Sequence, residues 1–338
     1  MRGLLLLFTF AIAQVAIGQM SFDDWQLESQ SNKRLLPKYG GAKKTKTEKK
    51  SDADFIESAM SQFDTRREAS DHMIDLGFNY YYRGDLKTAM YRFNQAYLLD
   101  AENANIYWGY GAIYMAFGEF ELSREQYDEG LKIDPKNDKI LIDYGTTYLG
   151  EYYNFAQSDT AKANEFLDKS IELLSEAYAV DPDNANSSYK LSICYMYQNN
   201  CEKATEYLSL SEEIGNPNIT ESFKLELEEK CTEADFDCSG IRTGKFRSYD
   251  EEAGETIIER TEEYQIEENT KQGYTLKLEV IWLDDCTYQL KPVPGSDDPM
   301  PSMTLTCKIT ELTENGYIQI SSSDVSPMRL KTELTRID

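Results

Sequence analysis

The chain has 338 residues, with 60 acidic and 35 basic side chains and a formal net charge of −25. Hydrophobic residues make up 41% and charged residues 28%, a balance typical of a globular chain long enough for two domains. The charge excludes a nucleic-acid binder, because binding a polyanion needs a basic surface. It favours basic partners instead.

The N-terminus has the features of a signal peptide, which we assign to residues 1–18. Arg2 supplies a basic start, an apolar run covers 4–17, and small residues precede Gln19. The run is too short to span a bilayer well. We therefore expect export, to the periplasm or out of the cell, with no transmembrane segment left after cleavage.

Residues 19–50 are polar and predict a flexible leader. Its basic stretch at 43–50 could contact an anionic surface or remain a solvated linker. A helix is then predicted over 51–66, where apolar residues recur at helical spacing. We expect this helix to cap the first repeat of the next region. Its apolar residues are Phe55, Ile56, Ala59, Met60 and Phe63.

From residue 70 the sequence repeats itself every 34 residues. Gly77 is followed at this interval by Gly111 and Gly145, and Tyr80 by Tyr114. Small residues recur where two helices would cross, and large residues recur where successive helix pairs would meet. The small residues are Gly77, Ala89 and Ala96, then Gly111, Ser123 and Gly130, then Gly145, Ser170 and Ala177, then Ser192, Ala204 and Ser211.

This period and these small residues resemble the tetratricopeptide repeat (TPR) family. The resemblance predicts a TPR-type α-solenoid over 70–231, with about four helical hairpins plus cap helices. The last of these is a helix at 219–229 that we expect to cap the stack. The third repeat is longer by 13 residues around 151–163, which should lengthen one or both of its helices or form a bulge at their turn.

The TPR resemblance also implies a binding groove, lined by the first helix of each repeat, that takes a protein or peptide partner. Trp and Tyr, which are common binding anchors, are frequent among these positions. The alternative is that the groove is covered by the protein's own helix at 52–65. The implied groove residues are Ile74, Phe78, Tyr81, Tyr82, Asn105, Trp108, Ala112, Met115, Lys139, Ile142, Thr146 and Leu149.

From residue 238 to 338 the pattern changes to alternation, which predicts a small antiparallel β domain, a meander closing toward a barrel or sandwich. The clearest strand is 274–282. Other strands are expected near 244–249, 254–260, 262–268, 286–291, 303–312, 316–322 and 328–337. The fold class is therefore α+β, a helical repeat region followed by this domain.

The β domain resembles short secreted proteins of Gram-negative bacteria. The motifs that carry the resemblance are Thr243–Phe246, Ile258–Arg260, Tyr264–Glu267 and the run from Trp282 to Leu290. The resemblance implies an envelope or secreted location and no named activity.

The six cysteines of an exported chain predict disulfides. Antiparallel pairing of Tyr288 with Leu305 and of Leu290 with Met303 would place Cys286 opposite Cys307, and we predict a disulfide there. Four cysteines remain, with three possible pairings. One of these pairings is Cys201–Cys231 with Cys194–Cys238.

No catalytic motif is apparent. His72 is the single histidine, and C-x-x-C pairs are missing, so we expect neither a hydrolytic triad nor a zinc site, and no cofactor. We therefore predict a non-enzymatic scaffold that binds a protein or peptide. The alternative function is small-molecule or glycan binding by the β domain, with the repeats as a docking module; an open barrel interior would favour it.

Overall fold

The structure, a computed structural model, describes residues 20–232, 236–293 and 303–338. Residues 20–217 and residues 218–338 form two compact units. The first unit is helical, and the second contains a closed antiparallel β-barrel, so the fold is α+β. The predicted signal peptide lies outside the described residues.

Successive helices of the first unit pack in pairs, each helix most extensively against its partner. These pairs follow α1 (Phe22–Ser31) and α2 (Lys46–Met60). They are α3 (Arg66–Tyr81) with α4 (Leu86–Leu99), α5 (Asn105–Ala116) with α6 (Phe120–Ile133), α7 (Asp138–Phe155) with α8 (Thr160–Val180), and α9 (Ala185–Tyr197) with α10 (Cys201–Ile214).

Glycine on the first helix of a pair leaves room for a ring from the second helix. A Cβ atom added to Gly77 would lie 2.3 Å from the Phe93 ring, and one added to Gly111 would lie 2.1 Å from the Tyr127 ring. Both rings are fully buried. The ring therefore fills the volume that any larger residue at the glycine position would need.

An asparagine at the start of a first helix links neighbouring repeats. The Asn137 side chain accepts a hydrogen bond from the backbone N–H of Ile140, which caps α7, and its amide donates to Asn105 Oδ1 at 2.9 Å. In the same way Asn103 donates to Asp71 Oδ1 and Asn184 to Asp138 Oδ2. The Oδ1 atom of each asparagine accepts from a backbone N–H in the first turn of its helix, and its side-chain amide links that helix to the preceding repeat.

The extra residues of the third repeat lengthen both of its helices, which is one of the outcomes that the sequence left open. Helices α7 and α8 contain 18 and 21 residues, whereas α5 and α6 contain 12 and 14. The added turns extend the two helices beyond the crossing at Gly145, where Ser170 Oγ donates to the Gly145 carbonyl at 2.8 Å. The small residues at the crossing are thus undisturbed by the insertion.

The cap helix begins earlier than predicted. Helix α2 starts at Lys46 because Thr45 and Glu48 form a capping box, in which Thr45 Oγ1 accepts from the Glu48 backbone N–H and Glu48 accepts from the Thr45 backbone N–H. Its Ala59 then packs against Ala69 and Leu99 of the first repeat.

The segment predicted as a flexible leader is ordered and packs against the repeats. Trp25 of α1 and Leu35 of a following 3-10 turn are 1% and 0% exposed. The Asn94 amide donates to the backbone carbonyls of Arg34 and Leu36 at 2.9 and 3.0 Å. Polar composition suggested flexibility, but two buried apolar residues and one buried asparagine hold this segment.

The second unit is an eight-stranded barrel in which each strand pairs with its sequence neighbour and β8 closes against β1. The predicted strands are thus present, with shifted ends. They are β1 (Gly244–Asp250), β2 (Gly254–Arg260), β3 (Tyr264–Asn269), β4 (Tyr274–Trp282), β5 (Thr287–Pro292), β6 (Leu305–Thr313), β7 (Gly316–Ser323) and β8 (Ser326–Arg336).

Helix α11 (Glu221–Cys231) packs on β6 and β8 of this barrel. Its Glu229 accepts from Arg329 Nε at 2.7 Å, and Glu228 pairs with Lys331 Nζ at 2.7 Å. The position of this helix in the chain predicts a cap on the repeat stack, but the boundary between the two units lies at 217/218, ahead of the helix. Its acidic side chains instead find basic partners on β8.

The predicted Cys286–Cys307 disulfide is wrong. Cys286 bonds to Cys238, with Cα atoms 5.4 Å apart, and Cys307 is a free thiol. In the observed register Cys307 lies opposite Tyr288, two residues from the predicted pairing. A shift of two residues keeps every side chain on the same face of the sheet, so alternation alone could not distinguish the two registers.

The remaining cysteines are also settled in part. Cys194 is free and buried, which excludes the possible pairing with Cys238, whereas Cys201 and Cys231 are both disulfide-bonded. Burial raises the pKa of the Cys194 thiol to about 12 and of the Cys307 thiol to about 11. Both free thiols are therefore poor nucleophiles in the folded protein.

We predict that Gly111→Ala destabilises the protein by about 1–3 kcal/mol, because the new methyl group overlaps the Tyr127 ring. Chemical denaturation followed by circular dichroism would measure the loss. Gly240→Ala is the matched control, since nothing lies within 4 Å of the added Cβ. Equal stability of the two variants would contradict the close packing at Gly111.

We predict that alkylation under denaturing conditions without reductant labels Cys194 and Cys307 and leaves the other four cysteines unlabelled. In the native protein both thiols should react at least about tenfold more slowly, because they are buried. Peptide mapping by mass spectrometry would identify the labelled sites. A Cys286–Cys307 linked peptide would refute the observed register.

Candidate functional site

The predicted groove residues divide by exposure into a floor and a rim. The floor residues are at most 8% exposed. They are Ile74, Phe78, Ala112, Ile142 and Leu149. The residues that reach solvent are Tyr81, Tyr82, Asn105, Trp108, Met115, Lys139 and Thr146. Tyr82 is the most exposed aromatic of the set, at 75%.

The ordered N-terminal segment packs on the side of α5 that faces away from this wall. Phe22 contacts the Tyr114 ring, and the Lys38 backbone N–H donates to the Tyr110 hydroxyl. Trp108 and Ala112 lie on the opposite face of the same helix, given its period of 3.6 residues. The segment therefore leaves the groove face of α5 to other contacts.

The cap helix α2 also packs away from the groove residues. Its Phe55, Ile56 and Ala59 cluster with Ala69 and Met73, and none of the predicted groove residues belongs to that cluster. The contacts described for α2 thus match an end cap of the first repeat. They do not match the alternative in which this helix fills the groove.

Four aromatic rings form the wall at the first two repeats. The Phe78 and Trp108 rings lie 3.9 Å apart between centroids, and Phe78 also contacts Tyr81 at 6.0 Å and Tyr82 at 6.1 Å. Lys139 Nζ lies 5.2 Å from the Trp108 centroid. The indole is thus held by stacking on Phe78 while a lysine ammonium lies near it.

A carboxylate lies among these rings. Trp108 Nε1 donates to Asp143 Oδ2 at 2.7 Å. Burial raises the pKa of Tyr81 and of Tyr82, and the charge of Asp143 raises both further. Part of Asp143 reaches solvent, but desolvation by its surroundings dominates and raises the pKa of its carboxyl, opposed by Lys190 and by the Trp108 hydrogen bond. The ionised carboxylate is therefore only partly compensated.

Tyr127 brings a second polar atom to this place. Its side chain is 0% exposed, and its hydroxyl has no hydrogen-bond partner among the described residues. Burial raises the pKa of Tyr127, and the charges of Asp143 and Tyr81 raise it further. The Tyr127 ring can occupy this position because Gly111 has no Cβ atom, which would otherwise overlap the ring.

Sequence reasoning missed Asp143 and Tyr127. Asp143 directly follows three apolar residues at 140–142, and this acidic residue next to an apolar run was the available signal. Tyr127 takes the position that Phe93 holds in the first repeat. The extra hydroxyl was therefore visible as a difference between two otherwise equivalent rings.

The other predicted groove residues serve the repeat structure. Asn105 accepts from Asn137, and Thr146 Oγ1 donates to the Ile142 carbonyl at 2.7 Å. These bonds tie the residues to their own or the neighbouring helix. Asn105 and Thr146 thus reach the groove surface, but each already forms a hydrogen bond within the repeat structure.

The barrel interior is filled with side chains. Arg260 is 2% exposed, and its Nη2 donates to the Tyr288 and Tyr317 hydroxyls at 2.7 and 2.8 Å. Its Nε donates to Gln265, while its Nη1 has no partner among the described residues. Phe246 packs against the Tyr317 ring. This filled interior does not favour the alternative in which the barrel holds a small molecule or glycan.

Within residues 20–232, 236–293 and 303–338, no group of three His, Cys, Asp or Glu side chains is placed to hold a metal ion. His72 lies against Phe63, with ring centroids 5.1 Å apart. In the same described ranges, no helix has both the length and the apolar character needed to cross a membrane.

No family model and no curated protein matches this chain. Among solved structures, a TPR protein of Thermus thermophilus, TTC0263, is 15% identical over 48% of this chain and 79% of its own, with a TM-score of 0.40. MamA is 18% identical over 48% and 79%, with a TM-score of 0.34. PilF of Pseudomonas aeruginosa is 19% identical over 49% and 84%, with a TM-score of 0.30.

We predict that Asp143→Asn raises the midpoint of chemical denaturation at neutral pH. Because the pKa of Asp143 is raised in the folded state, the folded protein is more stable with this carboxyl protonated than with it ionised. The stabilisation is complete below the pKa of an unfolded aspartate and is lost as the pH rises through the pKa of the folded state. The asparagine keeps an acceptor for the Trp108 N–H without the charge.

The gain in stability of Asp143→Asn should shrink below about pH 4, where aspartate in the unfolded chain is itself protonated. Asp64→Asn, at an exposed position, is the matched control and should change little at either pH. A lower midpoint for Asp143→Asn at neutral pH would contradict the desolvation of this carboxylate.

Proposed function

We propose that the protein is a non-enzymatic scaffold that binds a protein or peptide partner along the groove face of its TPR-like helices. In this proposal about four helical hairpins form the binding unit, and the twelve predicted groove residues form its floor and rim. The observation that carries the proposal is the aromatic wall of Phe78, Tyr81, Tyr82 and Trp108.

The exposure of this wall supports the proposal. Tyr82 is 75% exposed although it contacts both Phe78 and Tyr81. Large aromatic side chains are the residues that most often carry binding energy at protein interfaces. The ordered N-terminal segment covers other faces of the repeats. Tyr81, Tyr82 and Trp108 therefore keep solvent-exposed area within the helical unit, whereas the Phe78 ring that they contact is buried.

We further propose that the protein acts outside the cytoplasm, with residues 1–18 as its signal peptide. The Cys238–Cys286 bond and the oxidised state of Cys201 and Cys231 support this location, because disulfides persist in oxidising compartments. The resemblance of the β domain to short secreted proteins supports the same location. The barrel then serves as a second module of the scaffold.

We predict that peptides selected from a random library on the full chain lose at least about tenfold in affinity when Tyr82 is replaced by Ala. The reason is that an exposed aromatic anchor contributes about 2 kcal/mol or more to a peptide interface. Isothermal titration calorimetry would measure the affinity.

Tyr249→Ala is the matched control, since Tyr249 is 73% exposed on strand β1 of the barrel. Both substitutions remove an exposed ring of the same size and should leave stability unchanged. Selected peptides that bind Tyr82→Ala as well as the parent, and bind Tyr249→Ala more weakly, would refute the groove as the binding surface.

A further inference from the structure

We propose that the Asp143 site, defined as the Asp143 carboxylate with Trp108, Tyr81, Tyr82 and Tyr127, binds the cationic side chain of a lysine or arginine in the partner peptide. This inference rests on the proposed function and gives the chemistry that the groove recognises. The site combines a carboxylate with aromatic rings, which are the two kinds of group that attract a cation.

The carboxylate lacks a close counter-ion. No basic side chain of the described residues forms an ion pair with Asp143, and the hydrogen bond that it accepts comes from the neutral Trp108 indole. The Lys190 charge acts on it only from beyond ion-pair distance. A cation brought by a partner would therefore supply the charge that the protein itself leaves out.

The rings around the carboxylate suit the same ligand. The centroids of the Tyr81 and Tyr82 rings lie 5.5 Å apart. Burial raises the pKa of both hydroxyls, and the Asp143 charge raises it further. The Lys139 ammonium already lies 5.2 Å from the Trp108 centroid, which shows that this indole accepts a cation nearby. A second ammonium or guanidinium would meet both the ring faces and the carboxylate.

The buried Tyr127 hydroxyl is a separate observation that points to the same site. It has no partner among the described residues, although leaving such a group unpaired is destabilising. Phe93 fills the equivalent position of the first repeat without a hydroxyl, so packing alone does not require one. We assign Tyr127 as a positioning residue that donates to the Asp143 carboxylate when the cation is bound.

The negative net charge of the chain favours a basic partner. With 60 acidic against 35 basic residues, the chain attracts basic segments over distance. At the Asp143 site a basic side chain could then form an ion pair with the desolvated carboxylate and pack against the aromatic rings of the site. The occupant that fits both the overall charge and the local chemistry is a basic peptide.

The experiment titrates the full chain with a nonapeptide of Gly and Ser that carries one central lysine, followed by NMR of the three tryptophan indole N–H groups. The Trp108 signal, assigned through Trp108→Phe, should shift on titration, and the affinity should be at least about tenfold higher than for the same peptide with norleucine. A glutamate peptide should not shift the signal.

The variants separate recognition from folding. Asp143→Asn should weaken lysine-peptide binding about tenfold while folding at least as stably, and Tyr127→Phe should weaken it about threefold without loss of stability. Tyr114→Phe, on the opposite face of α5, should bind like the parent. Equal shifts with the lysine and norleucine peptides, or unchanged binding by Asp143→Asn, would overturn the proposal.

This outcome is distinguishable from failure of the proposed function. If library-selected peptides depend on Tyr82 but contain no required basic residue and bind Asp143→Asn normally, the groove is a binding surface and the cation site is refuted. If no peptide depends on Tyr82, the groove itself is refuted. Dependence on Tyr82, on Asp143 and on a basic residue in the same peptide supports both.

Discussion

The structure of the helical unit depends on rings that enter the space left by missing side chains. The Tyr127 ring lies where a Cβ atom of Gly111 would be, so the two helices of the pair can approach only with glycine at that position. The ring that fills this space ends in the buried Tyr127 hydroxyl, whose pKa is raised by burial and further by the Asp143 charge. The packing at Gly111 therefore fixes the repeat geometry and also places a polar atom within the electrostatic influence of Asp143.

The helical repeats were predictable because their signal is periodic and local. Small residues at 34-residue intervals predicted the crossings. The 13 extra residues of the third repeat left open longer helices or a bulge, and the structure has two longer helices. Alternation likewise predicted the barrel strands. The pairing of Cys286 failed because alternation repeats every two residues and cannot exclude a shift of two. Strand register depends on turn geometry that composition does not encode.

The N-terminal segment was misread for a different reason. Its composition is polar, and its two buried anchors, Trp25 and Leu35, have no periodic pattern around them. What orders the segment is a partner elsewhere in the chain, the Asn94 amide on α4, which hydrogen-bonds to the backbone at 34 and 36. Such a contact joins residues 60 positions apart and leaves no trace in local sequence.

The Asp143 site combines two polar groups whose interactions are incomplete. Some buried polar groups of the helical unit, such as Asn94 and Ser170, have hydrogen-bond partners, whereas others, such as Trp25 Nε1 and Gln126 Oε1, have none among the described residues. At the Asp143 site, a carboxylate that is only partly compensated occurs together with a buried hydroxyl that is unpaired among the described residues. Because natural sequences tend to leave such groups incompletely satisfied at functional sites, their occurrence together on the groove side supports the proposal that the groove binds a ligand.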